Sequence, residues 1–125
     1  YVIARVNSLN KFFKEKQLEL LDFNKKLFDR FGENEITLLK ALSLWPRVIE
    51  SSVIYKEPHR VVYYLIDLAG AFHNYWSKGN LDSKMRVINE EDIDLTAARL
   101  TLLNCISKVI KLGLDILAIK PVEKM

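Results

Sequence analysis

The chain has 125 residues, of which half are apolar and 28% are charged, and this balance excludes a disordered tail or a fibrous protein. The net charge of +3 and the isoelectric point near 9.0 favour an anionic partner only weakly, because 16 acidic residues are interspersed with the 19 basic ones. The single cysteine, Cys105, excludes an internal disulfide, and no apolar run reaches the roughly 20 residues that span a bilayer. We expect one cytoplasmic domain over residues 1–125, without a membrane segment.

Apolar residues recur at helical spacing through the first half of the chain. Steps of three and four residues predict a first helix with one apolar stripe, formed by Val2, Val6, Leu9 and Phe13. A second helix is predicted over about 15–30, with Gly32 as its stop signal, and a third over 33–44. Pro46 lacks a backbone donor and predicts a break there, after which residues 47–55 form a short helix.

The second half contains the strongest helical pattern. A long helix is predicted from Pro58 to Gly79, with a stripe of Val61, Leu65, Leu68, Phe72 and Tyr75. Within it, Gly70 costs about 1 kcal/mol relative to alanine, and we expect another helix to pass close to it. Residues 80–92 are predicted to form a loop. A last helix follows, ending before Pro121, with apolar residues at Leu95, Ala98, Leu102, Cys105, Val109, Leu112 and Ile116. Because no segment alternates at the period of a strand, we predict an all-α bundle of five to six helices.

The sequence offers no residue pattern that would support catalysis or metal binding. His59 and His73 have no partner at the spacing of a zinc site, and we expect them at a helix start and in packing. The glycines form neither a dinucleotide-binding fingerprint nor a phosphate-binding loop. The acidic residues of 90–94 lack the spacing of a calcium loop and are better explained as partners of a helix N-terminal dipole. We therefore predict no catalytic residue, no metal and no cofactor in this chain.

Three stretches of the chain carry specific motifs. They are Tyr-Val-Ile-Ala-Arg-Val at 1–6, the run from Trp-Pro-Arg-Val-Ile-Glu at 45–50 through Glu-Pro-His-Arg at 57–60 to Ala-Phe-His-Asn-Tyr-Trp at 71–76, and residues 97–125, which end in Lys-Pro-Val-Glu-Lys-Met. Over nearly the whole chain, these stretches resemble the C-terminal DALR-type anticodon-binding domain of bacterial-type arginyl-tRNA synthetases, which are class Ia enzymes. Two positions depart from the family pattern: Ile3 stands where many members have histidine, and Trp76 where tyrosine is common.

The resemblance implies a helical bundle that docks the anticodon arm of arginine tRNA, tRNA(Arg). Tyr1, Trp76 and Met125 occupy the family positions that contact the anticodon loop, and Arg5 lies one helical turn beyond Tyr1 on the same face. These residue types suit the task, because unpaired bases stack on aromatic or apolar side chains while the backbone needs cations. A track of phosphate contacts would extend from the same surface if four lysines face the same way: Lys108, Lys111, Lys120 and Lys124.

The resemblance also implies a longer parent protein. The chain begins inside an apolar pattern without an initiator methionine, so we expect an upstream catalytic domain that joins arginine to its tRNA with ATP and Mg. The ending at Met125 is similar to that of the intact enzymes. The isolated chain would bind RNA without catalysing a reaction, and we expect a monomer.

Other interpretations of the same residues stay open. Under the plainest, Tyr1 packs against a missing neighbour, Trp76 completes the buried stripe of Phe72, Arg5 pairs with a carboxylate, and the four lysines are simply solvated. Two other functions compete with the one above. One is that of the related domain in the glycyl-tRNA synthetase beta subunit, and the other is a helical module that binds a protein through an exposed apolar patch.

Overall fold

The computed structural model describes residues 1–15, 31–82, 87–88 and 93–118. Five α-helices lie in these ranges, α1 (Val2–Glu15), α2 (Glu33–Ser43), α3 (Trp45–Ile54), α4 (His59–Leu81) and α5 (Ile93–Ile116). These ranges contain no β-strand, and the prediction of an all-α fold is confirmed. The helix predicted over 15–30 falls outside the described residues except at its first position. No described helix is both long and apolar enough to cross a membrane.

The helix ends follow the punctuation of the sequence to within two residues, and the helix predicted over 47–55 begins at Trp45 and ends at Ile54. Pro58 is the N-cap residue of α4, and Pro46 lies in the first turn of α3, where a missing donor leaves no hydrogen bond unmade. Lys56 has a φ of 54° and turns the chain between these two helices. The predicted end at Gly79 is wrong by two residues, since α4 continues to Leu81. Gly79 does not adopt a positive φ, so it does not provide the left-handed residue with which glycine ends a helix.

The two longest helices, α4 and α5, pack against each other at the centre of the bundle. Helices α1 and α2 pack on α5, while α2 and α3 pack on α4. The fully buried side chains at the centre include Leu68 and Phe72 of α4 and Leu100, Leu103 and Ile106 of α5. All five residues of the predicted α4 stripe are buried, which confirms that the spacing marked the inward face of this helix.

The buried face of α5 differs from its predicted apolar stripe. Leu112 and Ile116, at the end of that stripe, are 45% and 57% exposed, whereas Ile110 and Gly113 are buried. Among the described helices, α1, α2 and α4 pack against α5, and its first half is buried on nearly every side. Because that half is buried on most sides and its buried residues include the polar Thr96 and Arg99, apolar periodicity alone does not select the side that remains buried toward the end of the helix.

The expected close approach at Gly70 is wrong. Gly70 is exposed, and a Cβ added there would meet no heavy atom within 4 Å among the described residues. The close approach occurs instead at Gly113 of α5, where a Cβ would lie 2.8 Å from both Cδ atoms of Leu65 in α4. Both glycines are interior helix positions in sequence, so only the packing of α4 against α5 distinguishes them.

Buried and part-buried polar groups join the described helices, and they include an ion pair and a tyrosine hydroxyl. Arg99 Nε of α5 lies 2.7 Å from Glu35 Oε1 of α2, and the two side chains are 8% and 4% exposed. The hydroxyl of Tyr75 is also buried, with no hydrogen-bond partner among the described residues. Its burial raises the pKa of Tyr75, the charge of Glu35 raises it further, and Arg99 partly opposes the shift. Elsewhere, the hydroxyl of Tyr64 donates a hydrogen bond of 2.8 Å to the carbonyl of Ala41 and ties α4 to the end of α2.

Candidate nucleic-acid interface

The first turn of α1 brings Tyr1 and Arg5 together, as their spacing predicts. The backbone N–H of Arg5 donates to the Tyr1 carbonyl at 2.9 Å, which begins the helix. The Arg5 side chain follows the same direction, and its Nη2 donates a hydrogen bond of 2.8 Å to the Tyr1 hydroxyl. Arg5 therefore holds the Tyr1 ring at its polar end, and the Arg5 guanidinium carbon also lies over the ring, 5.1 Å from its centroid.

Helix α4 supplies the second half of this arrangement through His73 and Trp76. The ring of His73 stacks on the ring of Tyr1, with 4.5 Å between centroids and 24° between planes. The Arg5 guanidinium carbon lies 4.7 Å from the centre of the Trp76 ring. Tyr1, Arg5, His73 and Trp76 thus form one contiguous group, hereafter the Tyr1 cluster, that spans α1 and α4.

The buried ring of Phe72 lies beneath the α4 side of the Tyr1 cluster. It meets His73 edge-on, with 6.1 Å between ring centroids, and it is nearly parallel to Trp76, with 6.3 Å between centroids and 14° between planes. Because Phe72 is itself fixed in the core, its contacts restrict both rings. The α4 side of the Tyr1 cluster is therefore held in place by the core.

Exposure and charge differ among the members of the Tyr1 cluster. Tyr1 is 52% exposed and His73 is exposed, while Arg5 and Trp76 are half-buried. No carboxylate among the described residues forms an ion pair with Arg5, so its alternative interpretation as half of a salt bridge finds no support there. The surface therefore presents an aromatic ring beside a cation that no described acid neutralises.

Comparisons of the sequence with known proteins identify the family of the chain. The family model described as the DALR anticodon binding domain matches residues 1–125. The chain belongs to this family. It is 44% identical to an arginine–tRNA ligase of Bartonella henselae over 129 residues, which cover 100% of this chain and 22% of that protein. An arginine–tRNA ligase of Anaplasma phagocytophilum is 41% identical over 126 residues, which cover 100% of this chain and 21% of the relative. No solved structure matches the chain.

The DALR domain is thus a small part of the relatives that it matches. An arginine–tRNA ligase of Rickettsia africae, 36% identical over 128 residues, shares 98% of this chain, but the match covers only 22% of its own length. The chain spans about a fifth of the length of these three relatives. In the described part of the domain, no group of three or more His, Cys, Asp or Glu side chains is placed to hold a metal ion.

Trp76 of the DALR domain is less open than a free stacking platform. Phe72 and the Arg5 guanidinium both lie against its ring, and the side chain is half-buried. Its contacts are those of a residue that supports Arg5. Tyr1 is 52% exposed, although His73 stacks on its ring and the Arg5 guanidinium lies over it.

Two of the four predicted phosphate-contacting lysines lie on α5 of the DALR domain. Lys108 is exposed and Lys111 is half-buried. Lys108 also affects the neighbouring thiol, because its charge partly offsets the burial that raises the pKa of Cys105. Lys120, Lys124 and Met125 lie outside the described residues, so their predicted contacts stay predictions.

Sequence reasoning missed His73 as a member of the site. A role in packing was expected, whereas the side chain is exposed and stacks on Tyr1. One signal was present, because His73 stands three residues before Trp76 and shares its side of α4. That signal is not sufficient, since it does not reveal that the start of α1 lies beside this part of α4.

Proposed function

We propose that this DALR domain binds the anticodon arm of a tRNA, and of tRNA(Arg) in particular, by stacking an anticodon-loop base on Tyr1. The observation that supports the proposal is the Tyr1 cluster, an exposed aromatic ring held by Arg5 and His73. Unpaired bases stack on aromatic side chains with little dependence on sequence, and arginine adds a charge for the backbone. Trp76 supports Arg5 from below, and Met125 and the four lysines extend the contact.

The parent protein would be an arginine–tRNA ligase that uses ATP and Mg in a separate catalytic domain. Support comes from the relatives described above, each of which is named an arginine–tRNA ligase and is several times longer than this chain. The same names favour arginine over the glycine alternative. We further propose that the parent works as a monomer in the cytoplasm, and that the DALR domain itself catalyses no reaction.

Fluorescence anisotropy with a labelled RNA hairpin tests the proposal. The hairpin carries the anticodon arm of tRNA(Arg), and a second hairpin keeps the stem but has an altered loop. We expect tighter binding to the first, and an affinity that falls as salt rises, because phosphate contacts release counterions. Equal binding to both hairpins would contradict recognition of the anticodon loop.

A matched pair of tyrosine variants tests whether Tyr1 makes the contact with RNA. Tyr1→Ala removes the stacking surface, which is worth about 1–3 kcal/mol per base, so the affinity should fall about tenfold or more. Tyr63→Ala removes a tyrosine of α4 that is 63% exposed and lies outside the Tyr1 cluster, and it should leave the affinity unchanged. A loss of affinity that is the same in both variants would show that Tyr1 has no special role.

A second candidate function, binding of a protein partner, is favoured by one observation. Val53, Ile54 and Tyr55 at the end of α3 and Tyr63 and Ile66 of α4 are all more than half exposed. Exposed apolar side chains of this kind mark surfaces that bind proteins when they are contiguous. The two functions are compatible, because Val53, Ile54 and Tyr55 lie outside the Tyr1 cluster.

A further inference from the structure

His73 is the member of the Tyr1 cluster whose polar atoms have no contact so far. Its ring stacks on Tyr1 with 4.5 Å between centroids, and Phe72 meets it edge-on at 6.1 Å. These contacts restrict the plane of the imidazole, while the side chain stays exposed. No described residue forms a hydrogen bond or an ion pair with either ring nitrogen. An oriented imidazole with two unused polar atoms therefore lies beside the proposed RNA contact.

The charged side chain that α1 brings toward His73 is a cation. Arg5 donates a hydrogen bond to the hydroxyl of Tyr1, on which His73 stacks, and its guanidinium carbon lies 5.1 Å from the centroid of the same ring. Tyr1 contributes its phenol and the α-amino group at which this chain begins, a nitrogen that belongs to a peptide bond in a longer protein. The acidic residue of α1, Glu15, stands at the opposite end of the helix.

The nearest parts of α4 and α5 bring no charge to His73. One turn before it and one turn after it on α4 stand four uncharged residues: Ala69, Gly70, Trp76 and Ser77. Helix α5 lies across a groove that His73 borders, and it lines this groove with Ile110 and Leu114. Lys111 and Asp115, the charged residues beside these two, are not among the lining residues. No described carboxylate therefore neutralises a proton bound to the imidazole.

Protonation of such an imidazole depends on whether an anion is present. A histidine changes its charge between about pH 5 and 8, and both of its nitrogens donate hydrogen bonds once it is protonated. A second positive charge near the Arg5 guanidinium is disfavoured in the free domain, whereas a nearby phosphate favours it. A nucleotide stacked at Tyr1 brings its own phosphate to the same part of the surface.

We propose that His73 binds a backbone phosphate of the anticodon loop as an imidazolium, so that RNA binding takes up a proton from solution. The inference rests on the proposed function, to which it adds a residue, the group of the RNA that this residue contacts and a dependence on pH. Because the bound state holds the proton more tightly than the free domain does, RNA affinity rises as the pH falls through the range in which histidine titrates. Tyr1 supplies the stacking surface, and His73 supplies an ionic contact.

Anisotropy measurements on the full-length protein with the labelled anticodon-arm hairpin, at constant ionic strength, test the inference. Between about pH 8 and about pH 6, the affinity of the original protein should rise about three- to tenfold more than that of His73→Phe, which keeps a ring beside Tyr1 but cannot be protonated. His73→Gln, which keeps a hydrogen-bonding side chain without a charge, should lose the same pH dependence. Groups elsewhere in the protein and in the RNA titrate alike in these proteins, so the comparison isolates His73.

The other histidine of the chain provides the matched control. His59 begins α4, where its ring meets Tyr63 edge-on and its Nε2 lies 3.8 Å from Glu57 Oε2. It too is exposed, but it lies outside the Tyr1 cluster. His59→Phe should therefore retain the pH dependence of the original protein. Calorimetry near neutral pH in two buffers of different ionisation enthalpy gives an independent measurement, in which binding should take up fewer protons in His73→Phe than in His59→Phe.

Three results would overturn the inference. Equal pH dependence in the original protein and in both His73 variants would show that His73 does not take up the proton. The same loss in His59→Phe would show a general effect of positive charge. A loss of affinity in His73→Phe and His73→Gln that is equal at both pH values would identify the ring as an uncharged contact. Failure of the proposed function is distinguishable from these results, since the original protein then binds both hairpins equally or not at all, and the inference fails with it.

Discussion

The guanidinium of Arg5 lies against the ring of Trp76, with 4.7 Å between the guanidinium carbon and the ring centroid. This contact joins the start of α1 to α4 and gives Trp76 a defined task. A cation over an aromatic ring contributes about 0.5–1 kcal/mol at exposed sites and about 2 kcal/mol when it is desolvated. Since both side chains are half-buried, the free energy of this contact lies between these limits. Arg5 is thereby held where its Nη2 reaches the Tyr1 hydroxyl.

The first prediction is an energetic coupling between Arg5 and Trp76. A double-mutant cycle with Arg5→Gln and Trp76→Leu, measured by urea unfolding, should give a coupling energy of about 1 kcal/mol. Trp45→Leu provides the matched control, because Trp45 stacks on Tyr64 in another part of the bundle. Its coupling with Arg5→Gln should be within about 0.3–0.5 kcal/mol of zero. Equal coupling in both cycles would mean that the contact carries no specific energy.

Local sequence patterns predicted one half of the Tyr1 cluster and not the other. Tyr1 and Arg5 are four residues apart on a helix, so their contact follows from helical geometry alone. Family resemblance added Trp76. The stacking of His73 on Tyr1 depends on the position of α1 beside α4, and no repeat or motif within either helix specifies that position.

The same limit applies to the rest of the fold. The apolar stripe of α4 was predicted in full because one side of this helix is buried and the other is not. The ion pair of Glu35 and Arg99 joins residues that are 64 positions apart, and neither was distinguishable in sequence from a solvated surface charge. Only the packing of α2 against α5 brings them together.

The second prediction contrasts the two interior glycines of the long helices. Gly70→Ala should stabilise the domain by about 0.5–1 kcal/mol, because alanine is the better helix former and the added methyl meets no described atom within 4 Å. Gly113→Ala should destabilise it by about 1 kcal/mol, since the Leu65 side chain must move away from a Cβ at 2.8 Å, at an overpacking cost that exceeds the gain in propensity. Urea unfolding of both variants measures the difference, and equal stabilisation would contradict the close approach.

The third prediction concerns alkaline pH. Burial raises the pKa of Tyr64 from 10.0 to about 12. The unfolded chain therefore loses the proton more readily than the folded domain. The contribution of Tyr64 to stability is present in full below about pH 10 and is lost as the pH rises toward about 12.

Urea unfolding as a function of pH measures this contribution. In the original chain, stability should decrease between about pH 10 and 12, and in Tyr64→Phe this decrease should be smaller. At neutral pH the variant should be less stable by about 0.5–1.5 kcal/mol, because the hydrogen bond to the Ala41 carbonyl is lost. Identical pH profiles for the two proteins would show that Tyr64 ionises as freely in the folded domain as in the unfolded chain.

The fourth prediction compares a buried ion pair with an exposed one. Glu35→Gln leaves the buried Arg99 guanidinium without its carboxylate, and it should destabilise the domain by about 3–5 kcal/mol. Glu57→Gln removes the carboxylate of a pair of similar length, 2.6 Å to Arg60 Nε, whose side chains are 38% and 43% exposed. Its effect should not exceed about 1 kcal/mol, since exposed pairs gain little over their hydrated, separated ions.

Removing both members of the buried pair distinguishes the net stability that the pair contributes from the cost of burying one of its charges alone. In a Glu35→Met, Arg99→Met double variant both charges of this pair are removed together, so the domain should recover most of the stability that Glu35→Gln loses. Thermal or urea unfolding measures the stability of the original chain, of Glu35→Gln, of Glu57→Gln and of the double variant. If the double variant is as unstable as Glu35→Gln, the pair itself contributes net stability to the packing of α2 on α5, and burial of an uncompensated charge is not the cause of the loss.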